Sequence, residues 1–261
     1  MAKSHTNSRL IASTAPPTEC ARCPVRARAL FQGVPLDQLE WTQQYRSNQF
    51  TLKPRSRLFD EGDQHEYAYT LFSGWVMLSS NAPSGRRRVL RFALPGDFVG
   101  FQPRLDGPMT YSAFAITESR LCAFPRKKLG KMLAERSDLA SRMATLSARD
   151  MAFMQQLIIA NGHKSARERI VALVMLLFIQ VQTIGALIPG TTDDVIDFPL
   201  SQDVIADTLA MEPETVNRTL RDLRTDGIFE IKQRRLKVID RDQALSIAEL
   251  DMEAMSEQML L

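Results

Sequence analysis

The sequence predicts an α+β chain built from an N-terminal antiparallel β-barrel of jelly-roll type, one long dimerisation helix and a C-terminal winged helix-turn-helix. Three observations predict it. From about Phe50 to Phe124, short apolar runs are broken by turn formers at Glu61-Gly62, Ser73-Gly74, Ser84-Gly85 and Pro95-Gly96, the texture of an antiparallel barrel or sandwich. From Leu139 onward, apolar residues recur at alternating spacings of four and three, which is a heptad seam. Between Ser201 and Ile239, two short helical patterns joined by a tight turn are followed by residues that alternate, the pattern of a helix-turn-helix with a two-stranded wing.

The elements follow in chain order. Residues 1–30 form a polar arm that carries a pair of cysteines, and its first stretch ends at Pro16-Pro17. The barrel domain occupies 31–136. The dimerisation helix, 137–161, carries the seam Leu139, Met143, Leu146, Asp150, Phe153, Leu157 and Ala160. A dry core within one chain tolerates a carboxylate poorly, so Asp150 favours a seam between two chains, where it would face its own copy. The winged domain, 162–240, opens with a helix from Ser165 to Gln182, for which Ser165 and Glu168 are spaced as a capping box. Residues 241–261 form a helical tail.

Composition excludes several classes. The chain has 261 residues, 44% of them hydrophobic, enough for proper cores without staples. The longest apolar run, Ile170 to Ile179, is short of the roughly 18 residues of a membrane span. No apolar h-region follows the N-terminus, so the expected compartment is the cytoplasm, where the three cysteines stay out of structural bridges. No nucleophile-and-base pair, phosphate-cradling glycine loop or zinc-binding histidine pattern is present, and His5, His65 and His163 are scattered. An enzyme is not expected. The net charge of +3 is a weak pointer to nucleic acid, and Ser201 to Asp240 holds 7 Lys/Arg against 8 Asp/Glu. Position must carry that argument.

Ser201 caps the first short helix, whose Val204, Ile205 and Leu209 share a face. Pro213 suits the first position of the second helix. That helix is expected to bury Val216, Leu220 and Leu223 and to present Glu214, Thr215, Asn217, Arg218 and Arg221 to DNA. Arginine grips guanine O6 and N7 with two parallel hydrogen bonds, a carboxylate accepts from cytosine N4, and asparagine suits adenine. Lys232, Arg234, Arg235 and Lys237 on the wing are candidate phosphate contacts.

The segments LFDEGD, SGWV, PGDFVGF, AITESRLCAFP, SARERI and ADTLAMEPETVNRTLRDLRTDGIFEI, in that order, resemble the CRP/FNR family from about Cys20 to Ile239. The resemblance implies a cyclic-nucleotide-binding-like sensor barrel and a homodimer. It also implies binding to double-stranded DNA at a TTGAT-like palindrome, and RNA polymerase as a partner. The family's reading residues stand as E-x-x-S-R, so Glu214 and Arg218 carry over while Asn217 replaces the serine. Ala210 stands where the family favours glycine, and Glu212 where a capping threonine is common. Cyclic-nucleotide-binding relatives place a glutamate and an arginine after the PGDF turn. Here Phe101 takes the glutamate's place and no arginine stands beside Tyr111-Ser112. A buried phosphate without a cation is costly, so cyclic AMP is not expected.

The oxygen-sensing branch of the family holds a 4Fe-4S cluster with an N-terminal cysteine group and one cysteine before the dimer helix. Cys20, Cys23 and Cys122 stand where that branch has three of its ligands. Four thiolates are needed, and PVRARALFQG, after Cys23, offers none. Three readings stay open: an iron-sulfur cluster with Glu19, His5 or Asp37 as fourth ligand, a thiol-disulfide switch at Cys20 and Cys23, or inert thiols.

Overall fold

The computed structural model describes residues 10–12, 17–82, 85 and 87–250. Outside the described residues lie His5, Pro16 and most of the arm before it, Ser84 of one expected turn, and the tail beyond residue 250. Contacts divide the chain into two units. The first comprises the residues up to Asn81 with Phe92–Leu146; the second comprises Ala82–Arg91 with the residues from Ser147 onward.

The first unit is built on two antiparallel sheets. The strands of these sheets are β1 (Leu10–Ala12), β2 (Asn48–Leu52), β3 (Arg57–Phe59), β4 (Tyr67–Ser73), β5 (Val76–Asn81), β6 (Arg87–Ala93, whose residues up to Arg91 belong to the second unit), β7 (Phe98–Val99), β8 (Ser112–Ala115) and β9 (Ser119–Pro125). One sheet runs β1-β2-β9-β4-β7 and the other β3-β8-β5-β6. Their inner faces meet through Leu52, Leu58, Tyr69, Leu71, Val76 and Leu121, because alternate residues of a strand point to one face. Gly74, at φ +94°, makes the β4–β5 turn where an added Cβ would run into the Glu118 carbonyl, so the glycine of the SGWV motif is a steric necessity.

Helix α1 (Leu39–Gln43) precedes β2, and α2 (Arg126–Glu135) and α3 (Ser137–His163) follow β9. A second core gathers Cys20, Phe31, Val34, Phe124, Leu129 and Met132 with Leu139, Met143 and Leu146 of α3. This corrects the expected dimer seam. Leu139, Met143, Leu146, Phe153, Leu157 and Ala160 are all buried within the single chain. Asp150, expected to face its own copy, pairs instead with Arg91 of β6 at 2.7 Å and with Arg149 at 4.0 Å. The Arg91 side chain is only 7% exposed, and a buried guanidinium makes a carboxylate tolerable on an inward face.

The second unit centres on α4 (Ala166–Ile184), buried from Ile170 through Ile179. Its start is the expected capping box: Glu168 N–H donates to Ser165 Oγ, and Ser165 N–H to Glu168 Oε2. Those bonds from Ser165 hold the Glu168 carboxyl below its ordinary pKa. Next come β10 (Val195–Asp197), α5 (Gln202–Leu209), α6 (Pro213–Thr225), β11 (Phe229–Lys232), β12 (Arg235–Val238) and α7 (Arg241–Ala248). The wing has three strands rather than two, ordered β10-β12-β11. The VID run of β10 is too short to be legible as a strand, but Ile196 opposite Leu236 anchors it.

Candidate nucleic-acid interface and cysteine cavity

Helix α5 starts at Ser201, whose Oγ accepts from Val204 N–H, and buries Ile205, Ala206 and Leu209. The turn that follows is made by Ala210 in the left-handed region at φ +50°, which explains why a glycine suits that position. Helix α6 then begins with Pro213 at its first turn, while Glu212 supplies no side-chain capping bond. Val216, Thr219 and Leu223 face inward; Leu220, expected there, is half-exposed. Thr219 follows Val216 by three residues and precedes Leu223 by four, so these three share the inner face.

The other face carries Glu214, Arg218 and Arg221, all exposed, with Thr215 and Asn217 half-buried at its margins. One contact was not legible in the sequence: Asn217 Nδ2 donates to Gln202 Oε1 of α5 at 2.8 Å. In the wing, Gln233 and Arg234 both have positive φ, 50° and 61°, as a tight hairpin of matching twist requires. Lys232, Arg234 and Lys237 are exposed. Arg235 is not available in the same way, because its guanidinium donates to the Gly190 carbonyl.

In the first unit, Cys20 begins a 3-10 turn, Cys20–Arg22, and Cys23 N–H donates to the Cys20 carbonyl. Cys122 lies on β9, paired across to Gln49 of β2 and Thr70 of β4. All three cysteines line one cavity of about 30 Å³, together with Ala29, Arg46, Thr70 and Phe124. Gln49 Nε2 donates to Cys122 Sγ at 3.6 Å. Burial pushes the Cys122 thiol up to about 11 and also raises Cys23, while Arg46 acts in the opposite direction on both. Among the described residues, no three His, Cys, Asp or Glu side chains gather as metal ligands. Glu19 turns outward, 65% exposed and near Arg22 at 3.7 Å, and Asp37 is exposed.

Where cyclic-nucleotide-binding relatives have a glutamate, Phe101 packs against the core that contains Cys20 and Cys122. The Tyr111 hydroxyl accepts from Gly100 N–H at 2.7 Å. The buried Arg126 guanidinium is committed to the carbonyls of His65, Arg104 and Gly107.

Residues 49–136 match the family model of a cyclic nucleotide-binding domain, and residues 168–243 that of a Crp-like helix-turn-helix domain. The nitrogen fixation regulation protein FixK of Bradyrhizobium diazoefficiens is 29% identical over 88% of this chain and 94% of its own length. The transcriptional activatory protein AadR of Rhodopseudomonas palustris is 30% identical over 75% of this chain and 80% of its own length. Among solved structures, FixK2 from Bradyrhizobium japonicum superposes with a TM-score of 0.69 at 22% identity, covering 79% of this chain and 98% of that one. No helix among the described residues is long and apolar enough to cross a membrane. The fold, the exposed face of α6 and these relatives together identify a DNA-binding transcription regulator, not an enzyme, and the chain belongs to the CRP/FNR family.

Proposed function

We propose that this regulator acts in the cytoplasm as a homodimer that reads a TTGAT-like palindrome through α6 and recruits or obstructs RNA polymerase there. One observation carries the DNA reading: Glu214, Arg218 and Arg221 lie exposed at helical spacing while Val216 and Leu223 anchor the opposite face. Glu214 and Arg218, with Thr215, Asn217 and Arg221 beside them, then meet base edges or flanking phosphates, and Lys232, Arg234 and Lys237 of the wing neutralise backbone charge. A gel-shift on palindromes of this type tests the reading. Tight binding that is lost on scrambling the half-sites supports it; equal binding to any duplex overturns it.

The dimer reading moves to the outward stripe of α3. Ala144, Ala148, Met151, Gln155 and Ile158 are all exposed, and they recur at spacings of four and three, the register of a two-stranded seam. Met151 is 54% and Ile158 71% exposed, unusual for side chains of this kind on a helix that stays single. The family's regulators bind DNA typically as dimers, which agrees with this seam.

For the signal, the resemblance to the oxygen-sensing branch of the family favours a redox response, and the shared cavity of Cys20, Cys23 and Cys122 is where it would enter. An iron-sulfur cluster is held by four ligands. Here the lining beside the three thiols is apolar, cationic or a hydroxyl (Ala29, Phe124, Arg46, Thr70), with no fourth thiol, imidazole or carboxylate among it. These residues as arranged do not fit a cluster, so the response is assigned to the thiols themselves. The raised pKa values of Cys23 and Cys122 make those two thiols slow at neutral pH and faster in base, since the thiolate is the reactive form. Iron and sulfide analysis of anaerobically purified protein, beside a thiol count, decides the point. Three titratable thiols without iron support the assignment, and stoichiometric iron and sulfide overturn it.

A further inference from the structure

We propose that Gln202 sets the base preference of Asn217, so that α5 takes part in sequence reading through an amide pair. The inference rests on the reading that α6 meets base edges. Gln202 is the first residue of α5, held in place by the Ser201 cap, and is exposed. Asn217 lies between Val216, which is buried, and Arg218, which is exposed. The two amides are joined by the 2.8 Å bond from Asn217 Nδ2 to Gln202 Oε1. Both line the same cavity of about 150 Å³ as Arg221, whose side chain belongs to the exposed face of α6.

A primary amide has one acceptor oxygen and two N–H donors. An unrestrained asparagine can turn its NH2 toward an acceptor or its oxygen toward a donor, and so discriminates poorly. With one N–H committed to Gln202, Asn217 keeps its Oδ1 and a single N–H. That set complements adenine, which offers an N6 donor beside an N7 acceptor in the major groove. It mismatches guanine, whose O6 and N7 are both acceptors, because the fixed Oδ1 would then oppose O6. Gln202 is therefore a positioning residue: it need not touch a base, and it acts by fixing which edge of Asn217 the DNA meets.

The experiment uses the full-length protein and a set of palindromes that differ by one base pair at a time, with affinities measured by competition gel-shift. Variants are Gln202→Ala, Gln202→Glu, Asn217→Ala and the double variant Gln202→Ala/Asn217→Ala. Gln202→Ala is expected to lower the preference for adenine at one position of each half-site by roughly fivefold or more, a part of the discrimination that a good bidentate contact supplies. Preferences at the other positions stay unchanged. Gln202→Glu keeps an acceptor for the Asn217 N–H and retains the adenine preference, even where its charge weakens all sequences alike. In the Asn217→Ala background, removing Gln202 changes that preference no further. Three results would overturn the proposal: a Gln202→Ala protein that is less heat-stable with its base preferences intact, a uniform loss across all sequences, or an additive double variant. Failure of the underlying reading shows separately, as an Arg218→Ala protein whose preferences match those of wild type.

Discussion

Helix α6 and helix α3 were both legible as amphipathic helices, yet only α6 points the way its sequence suggested. In α6 the polar side of the pattern is the exposed side, and the apolar side is covered by the neighbouring α5, α4 and β11. In α3 the apolar seam was assigned to a second chain, whereas Leu139, Met143, Leu146, Phe153 and Leu157 are buried in the chain's own interior. A heptad pattern states that a face is covered and is silent on what covers it. The equally regular stripe through Ala144, Ala148, Met151, Gln155 and Ile158 does not stand out in the sequence, because alanine and glutamine carry little apolar signal.

The largest expected effect breaks this comparison at its weakest joint. Phe153→Ala should cost about 3–5 kcal/mol of fold stability, as truncating a buried phenylalanine usually does, and the loss should not depend on protein concentration. Ile158→Glu, one turn along on the exposed stripe, should leave the monomer folded and shift it away from the dimer in sedimentation equilibrium. If instead Phe153→Ala yields a stable monomer and Ile158→Glu stays dimeric, the two faces have been exchanged.

Asp150 sharpens the same point. Asp150→Ala removes the carboxylate that lies 2.7 Å from the nearly buried Arg91 guanidinium and should destabilise the fold by roughly 2–4 kcal/mol. A carboxylate facing its own copy would behave in the opposite way, because its removal relieves repulsion and strengthens the dimer. Thermal melts of the two proteins at matched dilute concentrations separate these outcomes.

A pH effect of intermediate size is expected from His65 in the barrel. Burial first, and Arg126 second, lower its pKa from 6.5 to about 4, and Nε2 lies 2.9 Å from the Tyr69 hydroxyl. The folded protein thus holds a neutral imidazole that the unfolded chain protonates more readily. Stability from this source is complete above pH 6.5 and is lost as pH falls from 6.5 toward 4. His65→Gln should flatten the dependence of the melting temperature on pH across that window; an unchanged slope removes His65 as its cause.

The smallest effect concerns the turn of the helix-turn-helix. Ala210→Gly, at φ +50°, should stabilise the protein by about 0.5–1 kcal/mol, since glycine takes left-handed backbone without a Cβ penalty. A destabilised glycine variant in chemical denaturation would contradict that account of the turn.

Local rules explain what the sequence revealed. Ser165 with Glu168, Ser201 and Pro213 each act within a few residues of themselves, so caps and helix starts could be read directly. What stayed hidden depends on distant partners. Asp150 finds Arg91, Cys122 finds Gln49 and Thr70, Asn217 finds Gln202, and Arg235 turns to Gly190, which removes it from the wing cations. Their separations run from 15 residues to 73, beyond the reach of periodicity or spacing.

The central claim is that the exposed face of α6 reads DNA sequence, and the most direct test is the affinity of Arg218→Ala across half-sites altered one base pair at a time. The account predicts a loss of about 1–3 kcal/mol per half-site with relaxed preference at one base pair, while Lys237→Ala weakens all sequences alike. An Arg218→Ala protein with unaltered affinity and unaltered preference at every position would contradict it.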